Sequence, residues 1–136
     1  MTGPRRMLLK LIATTPTPLS VQELHAAANR QIGVEEDEEA INLVTVYRFA
    51  NLLVEKKLAR RIELGQGYYR YERAEPQDGP HHHHMVCEVC GKIEDVHGCV
   101  VAEWANSLAS ESRRFRIERH QLELFGTCAD CLRKAA

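Results

Sequence analysis

Residues 81–90 read HHHHMVCEVC, which places four imidazoles just ahead of a Cys-x-x-Cys pair in the middle of a chain of 136 residues. A second pair, CADC, occupies residues 128–131. Two such pairs supply the four thiolates that a tetrahedral Zn²⁺ ion takes in a structural site. The spacing therefore predicts one structural zinc site with four ligands: Cys87, Cys90, Cys128 and Cys131.

Other interpretations of these residues are weaker. A disulfide pairing would need an oxidising compartment. Residues 1–12 form an amphipathic pattern and not the hydrophobic core of a signal peptide, so we expect a cytoplasmic protein with reduced cysteines. A purification tag lies at a terminus, but this histidine run is internal and adjoins the cysteines. The remaining alternative is a solvated histidine loop, although His-rich tracts beside cysteine sites are typical of metal binding.

The histidine run also predicts the number of further sites. Side chains alternate between the two faces of a β-strand. If the run enters the strand that carries Cys87, then His82 and His84 point to one face while His81 and His83 point to the other. Four consecutive histidines therefore indicate two additional metal sites rather than one.

The composition is that of an ordinary globular protein, with 44% hydrophobic and 27% charged residues. No apolar run approaches the roughly 18 residues that a membrane span needs, so we expect no membrane partner. The net charge of -1 is unevenly spread, because residues 1–74 hold 11 Lys/Arg and 9 Asp/Glu, with five of those acids within residues 35–39. The N-terminal half is therefore basic outside one acidic loop. The fifth cysteine, Cys99, is expected to be a small buried hydrophobe at the start of a helix.

Residues 1–57 carry three helical patterns. The first begins after Pro4 and ends in the Thr/Pro-rich residues 14–18. The second opens with the capping box SVQE at residues 20–23 and ends at Gly33, before the solvated acidic loop. Asn42 caps the third, which runs to about residue 57 on a core stripe of Val46, Phe49, Ala50 and Leu53. Its outer, N-terminal part carries Thr45, Tyr47, Arg48 and Asn51.

Residues 58–71 predict a β-hairpin, because two strand-like runs flank the three-residue glycine loop 65–67. Two helices joined by a turn and followed by a hairpin make a winged helix-turn-helix, whose second helix can enter a major groove. The exposed cations expected to meet phosphates are Arg60, Arg61 and Arg70. From the pattern alone an ordinary amphipathic surface at Tyr47 and Arg48 is equally favoured, because three-helix folds without DNA partners show the same spacing.

A Pro/Gly/acidic stretch at residues 75–80 is the best domain boundary in the chain. Beyond it, residues 85–96 carry strand patterning, residues 99–111 form a helix, and residues 115–119 and 121–125 form two more strands. The helix is expected to turn four apolar side chains inward: Val101, Trp104, Ala105 and Leu108. The predicted fold class is α+β.

The winged helix with TVYR at residues 45–48, the run HHHHMVCEVCGK and the terminal CADC together resemble the ferric uptake regulator family of dimeric bacterial repressors. The resemblance runs from about Thr2 to Cys131. It implies a winged-helix DNA-binding domain at residues 1–74, a hinge at 75–80 and a C-terminal α/β metal-binding dimerisation domain at 81–136 with a four-cysteine zinc site. It also implies a homodimer that represses metal uptake and homeostasis genes, in a metal-dependent way, from a pseudo-palindromic operator in double-stranded DNA.

The resemblance assigns roles to individual residues. The expected DNA contacts are Thr45, Tyr47 and Arg48, to which the hairpin pattern adds Arg61. A regulatory hinge site would take its ligands from Glu72, His82, His84 and Asp95, with Glu75 as an alternative to Glu72. A second site in the dimerisation domain would be built from His81, His83, Glu103 and His120.

Two departures from the family pattern matter, one for the metal and one for DNA binding. Pro18 stands where many members carry a histidine that joins the hinge site. Members usually also have a helix before residues 2–5, with a basic residue that reaches a minor groove; here that contact is absent, or the true start codon lies upstream of Met1. Two imidazoles with two carboxylates slightly favour Fe²⁺, or Mn²⁺, over Zn²⁺, whereas a lower coordination number favours a zinc uptake regulator. A small zinc metallohydrolase is the alternative from another class, but the chain has no HExxH-type helix, so we expect no enzyme. Zinc buffering alone would leave the TVYR helix unexplained.

Overall fold

The computed structural model describes residues 3–32, 40–75, 81–111 and 115–135. They belong to two compact units, Met1–Ala74 (unit 1) and Glu75–Ala136 (unit 2). Within these residues the fold is α+β, with five helices and two three-stranded sheets, as expected for the fold class. The acidic loop at 35–39, the helix stop at Gly33 and most of the expected hinge, residues 76–80, lie outside the described residues.

Unit 1 begins with three helices, and side-chain caps set the starts of the second and third. The helices are α1 (Gly3–Thr14), α2 (Val21–Ile32) and α3 (Leu43–Glu55), with the short strand β1 (Leu19–Ser20) before α2. Ser20 Oγ accepts a hydrogen bond from the backbone N–H of Glu23 at 3.1 Å, and Asn42 Oδ1 accepts one from Thr45 at 2.8 Å. Both caps satisfy amide groups that the first helical turn leaves without partners.

The three helices bury one face each in a common core. The stripe predicted for α3 is confirmed, because Val46, Phe49, Ala50 and Leu53 are all buried. The residues that meet this stripe come from α1, α2 and the strand β3 described below: Leu8, Ile12, Leu24, Ala28 and Tyr71. Isolated helices of 12 or 13 residues are only marginally stable in water, so burial of these apolar side chains stabilises α1, α2 and α3.

The predicted hairpin is present as β2 (Ala59–Glu63) and β3 (Tyr69–Arg73), and β1 adds to it so that the sheet order is β1-β3-β2. Gly65 and Gly67 in the connecting loop have φ angles of 76° and 84°, which residues with a Cβ rarely adopt. Three helices followed by this sheet form a winged helix-turn-helix.

Unit 2 is built on the strand that carries the histidines, β4 (His82–Cys87). It lies between β5 (Ile93–His97), which is antiparallel to it, and β6 (Glu123–Gly126), which is parallel. Helix α4 (Val101–Glu111) connects β5 towards β6, and α5 (Ala129–Ala135) closes the described chain. No helix among the described residues of either unit is long and apolar enough to span a bilayer.

Two expectations for unit 2 are wrong. Residues 115–119 form no strand in the described chain, because an alternating pattern makes a strand only where a neighbour accepts its hydrogen bonds, and this segment pairs with none of β4, β5 and β6. The inward face predicted for α4 is not buried either, since Trp104 is 63% exposed and Leu108 38%. Within the described residues of unit 2, no surface therefore buries the apolar face of α4.

Candidate metal centres and DNA-binding surface

Four cysteine sulfurs converge at one end of unit 2, and we call them the four-cysteine cluster (Cys87, Cys90, Cys128 and Cys131). The Sγ atoms of Cys87 and Cys131 are 3.8 Å apart, and those of Cys90 and Cys128 are 3.7 Å apart. A tetrahedral Zn²⁺ with bonds of about 2.3 Å sets its sulfur ligands about 3.8 Å apart, whereas a disulfide would bring them to about 2.05 Å. The cluster therefore has the dimensions of a zinc site and not of a disulfide pair.

The electrostatics of the four-cysteine cluster are those of a cation site. Backbone N–H groups of Cys128 and Cys90 point at Cys87 and lower the pKa of its thiol to about 6. A hydrogen bond with the Cys128 side chain raises the pKa of Cys131 to about 12, because it favours the protonated thiol. The fold thus stabilises the thiolate of Cys87. A bound cation would supply the positive charge that favours deprotonation of the other three thiols.

A second group of ligands lies on one face of the β4–β5 ladder, and we call it the Asp95 cluster (His82, His84 and Asp95). His84 and Asp95 are direct cross-strand partners, and His82 lies two residues along the same face. Asp95 Oδ1 is 3.8 Å from His82 Nε2 and 3.7 Å from His84 Nε2. Asp95 Oδ1 is buried, and among the described residues it has no hydrogen-bond partner. A metal ion about 2.0–2.2 Å from each of these atoms would satisfy it.

Glu75 holds the ring of His82 in place for this cluster. Its carboxylate lies 2.6 Å from His82 Nδ1 and also accepts the backbone N–H of His82 at 3.1 Å. A carboxylate on Nδ1 fixes the tautomer that leaves Nε2 as a lone-pair donor, which is how many metal-ligating histidines are held. From the sequence, Glu75 was expected only as a replacement for Glu72, because a partner of this kind has no spacing signature.

Glu72, the fourth expected ligand of the hinge site, belongs to unit 1. It is buried in β3, and its carboxylate forms an ion pair with Arg60 on the neighbouring strand β2. This pair also corrects the expectation that Arg60 is an exposed phosphate contact, since its side chain is half-buried and engaged.

The other face of β4 carries a third group, which we call the Cys99 cluster (His81, His83, Cys99 and His120). His120 Nε2 lies 3.0 Å from His81 Nε2 and 3.1 Å from Cys99 Sγ, while His83 Nε2 lies 3.2 Å from the same sulfur. The structure brings together the three histidines expected here but not Glu103, which is exposed on α4 and is not among the grouped ligand atoms. Cys99 is half-buried against imidazoles and not the apolar core residue that was expected.

The expected DNA contacts lie on the exposed N-terminal half of α3. Thr45, Tyr47 and Arg48 all face solvent, and Tyr47 is 54% exposed. The same turns bury Val46 and Phe49 on the opposite side. The helix thus presents a row of polar and aromatic groups away from the core, as a major-groove reading helix does.

Arg61 connects the hairpin to this helix. Its guanidinium stacks over the Tyr69 ring at 4.2 Å and donates to Asn51 Oδ1 at 3.4 Å. The same oxygen accepts the phenol of Tyr71, whose pKa is raised by burial, so Tyr71 stays a neutral donor. Arg70, by contrast, is buried and bound to Glu23 and the Pro18 carbonyl, so the expectation that it is exposed is wrong.

Comparison with known proteins places the chain among metalloregulators. The Ferric uptake regulator family model matches residues 1–125. A ferric uptake regulation protein of Campylobacter upsaliensis is 32% identical over 133 residues, which cover 98% of this chain and 80% of that protein. Another, from Bacillus subtilis, is 31% identical over 88% of this chain and 80% of its own length. The solved ferric uptake regulator of Vibrio cholerae aligns with a TM-score of 0.71 at 27% identity, over 94% of this chain and 91% of its own.

These matches extend through both units. The family match spans the winged helix, the histidine strand and most of the second sheet. Because it covers far more than half of the sequence, and because two relatives exceed 30% identity along most of their lengths, the chain belongs to the ferric uptake regulator family.

Proposed function

We propose that this chain represses transcription as a homodimer on a pseudo-palindromic operator when a divalent metal occupies the Asp95 cluster. Membership of the family makes it a metal-dependent DNA-binding regulator and not an enzyme, which removes the metallohydrolase alternative. Its place of action is then the cytoplasm of a bacterium, where the DNA is.

The observation that carries the proposal is the buried oxygen of Asp95. A carboxylate oxygen enclosed without a hydrogen-bond donor is costly to folding by about 1–3 kcal/mol. Asp95 Oδ1 is in that situation, with His82 and His84 presenting ring nitrogens at 3.8 and 3.7 Å. A cation among these three atoms would convert the cost into a set of coordination bonds, so metal would stabilise the folded arrangement that brings them together.

Glu72 is proposed as a further ligand of this regulatory site on the strength of the family resemblance. Glu75 is less suited, because its carboxylate already binds the ring nitrogen and backbone of His82. Glu72 is paired with Arg60, and metal binding at Glu72 would replace that ion pair.

The DNA-binding part of the proposal assigns two kinds of contact. Thr45, Tyr47 and Arg48 on the exposed side of α3 would reach base edges and nearby phosphates in a major groove. Arg61, held by the Tyr69 ring, would contact a phosphate and position the module without reading sequence. A homodimer would place two such helices in successive major grooves of a palindrome.

Ligand chemistry favours iron as the effector by a small margin. Two imidazoles with the carboxylates Asp95 and Glu72 form a nitrogen/oxygen site without a thiolate, which suits Fe²⁺ and Mn²⁺. The two relatives described above are named ferric uptake regulation proteins. The second candidate is a zinc uptake regulator, since divalent affinity order alone places Zn²⁺ above Fe²⁺.

Operator binding at buffered free metal tests the proposal. Duplexes selected from a pool of A/T-rich palindromes would be titrated with protein that retains only its structural zinc, at fixed free Fe²⁺, Mn²⁺ or Zn²⁺. Binding restored by micromolar Fe²⁺ or Mn²⁺ is the expected result. Restoration of operator binding only by Zn²⁺, at far lower free concentration, would identify a zinc uptake regulator. Operator binding that is equally tight with and without metal would contradict the whole proposal.

A further inference from the structure

The Cys99 cluster contains a thiol that the family resemblance leaves without a role. Cys99 Sγ lies 3.1 Å from His120 Nε2 and 3.2 Å from His83 Nε2, and His81 Nε2 lies 3.0 Å from His120 Nε2. All four ligand atoms fall within 4.8 Å of one another. Three imidazole nitrogens and one sulfur therefore converge on a single point.

We propose that Cys99 is the fourth ligand of a tetrahedral site, made of three imidazoles and one thiolate, that takes a thiophilic divalent cation of the Zn²⁺ class. Zinc bonds of 2.0–2.1 Å to nitrogen and 2.3 Å to sulfur set tetrahedral ligand atoms about 3.3–3.6 Å apart. The three contacts of 3.0–3.2 Å are within a few tenths of an ångström of that range. Small side-chain rotations would accommodate the ion without moving the strand.

Local backbone geometry explains why Cys99, and not Glu103, completes the site. Gly98 has a φ of 87°, a left-handed conformation that turns the chain sharply after β5 ends at His97. This turn brings Cys99 to the strand that carries His83, before α4 begins at Val101. Glu103 follows within the first helical turn, where its side chain is exposed.

The thiolate makes the two faces of β4 chemically different. The Asp95 cluster offers nitrogen and oxygen, which suit harder divalent ions, whereas a sulfur ligand selects zinc over manganese or magnesium. The Cys99 cluster also ties His120, in a segment without helix or strand, to His81 and His83 at the start of the central strand. Zinc would therefore hold the segment of residues 115–120 on the sheet, separately from the regulatory metal.

Cobalt spectroscopy of the full-length protein tests this assignment without DNA, so its outcome is independent of the proposed repressor function. Protein that keeps one zinc per chain in the four-cysteine cluster would be titrated with Co²⁺. Wild type is expected to show intense tetrahedral d–d bands together with a thiolate-to-cobalt charge-transfer band. Cys99→Ser should lose the charge-transfer band and bind Zn²⁺ at this site at least about tenfold more weakly, since even outer partners of ligands are worth 10–100-fold.

Two variants separate a ligand from a merely structural thiol. Cys99→Asp should still bind one Co²⁺ here, through oxygen, but without the charge-transfer band. Glu103→Gln is the matched control and should leave the spectrum and zinc affinity unchanged. The proposal is overturned if Cys99→Ser keeps the band, if wild type shows no such band, or if Glu103→Gln abolishes binding, since Glu103 would then be the ligand.

Discussion

Among single residues, Asp95 is the clearest link between folding energy and regulation. Its buried oxygen lacks a hydrogen bond, so in the metal-free protein the carboxylate opposes folding. In the proposed metal-bound protein the same oxygen would be a ligand. A residue that is unfavourable in one state and favourable in the other couples metal binding to stability. The effect should be visible in unit 2 without any DNA.

Replacing Asp95 by Ala should therefore leave the metal-free protein as stable as wild type or more stable by about 1–2 kcal/mol, because the removed oxygen is unsatisfied. The same change should remove the stabilisation that metal gives, which is about 2.7 kcal/mol at a hundredfold excess over Kd. Thermal unfolding with and without Mn²⁺ measures both effects. Glu94→Ala, exposed on the same strand, is the control that should keep the metal response. A strongly destabilised metal-free Asp95→Ala would show that the carboxylate has a structural partner.

Arg70 is a second buried residue, and its contribution to the stability of the winged helix can be tested. Its guanidinium binds Glu23, the Pro18 carbonyl and Gln66, which anchors the hairpin to α2. Arg70→Met should lower the free energy of unfolding of the winged helix by about 1–3 kcal/mol, because these acceptors lose a charged donor. Urea unfolding would be compared with Arg73→Met, which is exposed on the same strand and should change little. Equal effects of the two changes would argue against an anchoring role.

At the scale of elements, α3 and α4 carry similar apolar stripes with opposite outcomes. The stripe of α3 is buried because α1 and α2 supply facing surfaces within unit 1, so local periodicity predicted it correctly. The stripe of α4 was expected to be inward, yet none of its residues is buried. Periodicity indicates that one face of a helix is apolar, but not which surface packs against that face. A surface supplied by a partner subunit cannot be predicted from the local sequence.

The same limit applies to the metal sites. Strand alternation predicted how the four histidines divide, and the Cys-x-x-Cys spacing predicted the four-cysteine cluster. The role of Cys99 depends on a glycine turn after β5, and that of Glu75 on a contact with His82, neither of which has a fixed sequence spacing. The cysteines and the histidine run were thus predicted from their spacing, and Asp95 and His120 from the family resemblance, whereas the positions of Cys99 and Glu75 needed the fold.

The exposed stripe of α4 is expected to lie in the dimer interface. Trp104, 63% exposed in the single chain, is its largest member. Aromatic anchors of this kind dominate interface energetics, so Trp104→Glu should raise the dimer dissociation constant at least about 30-fold, equivalent to about 2 kcal/mol. Sedimentation of the variant beside Asn106→Asp, a polar exposed position on the same helix, gives the comparison. A dimer as tight as wild type would place the interface elsewhere.

The reading helix and the hairpin should differ in what they contribute to DNA binding. Tyr47→Ala should weaken operator binding more than binding to random duplex, because it removes a contact to bases. Arg61→Ala should weaken both and reduce the salt dependence of binding by about one charge, because it removes a phosphate contact. Fluorescence anisotropy over a salt series measures both. The same loss of specificity from both changes would mean that α3 is not the reading helix.

At the scale of the whole molecule, we expect unit 2 to require zinc in the four-cysteine cluster in order to fold. Its four ligands come from the end of β4, the turn after it and the start of α5, so zinc joins both ends of the unit. Cys131→Ser should lose the structural zinc and unfold unit 2, because such sites contribute about 10–16 kcal/mol of apparent binding free energy. Zinc analysis with circular dichroism is the readout, and Cys99→Ser, which should keep this zinc, is the control. A Cys131→Ser dimer with one zinc per chain would contradict the assignment.

The central claim is that metal at the Asp95 cluster switches the protein between weak and tight operator binding. The direct measurement is the operator dissociation constant with and without Fe²⁺ or Mn²⁺, for wild type and for the double variant His82→Ala/His84→Ala. Wild type should gain roughly 5- to 150-fold in affinity on metal binding, the usual range of such couplings, and the folded, dimeric double variant should gain nothing. If the double variant still responds to metal like wild type, the switch does not lie at His82, His84 and Asp95, and the account is wrong.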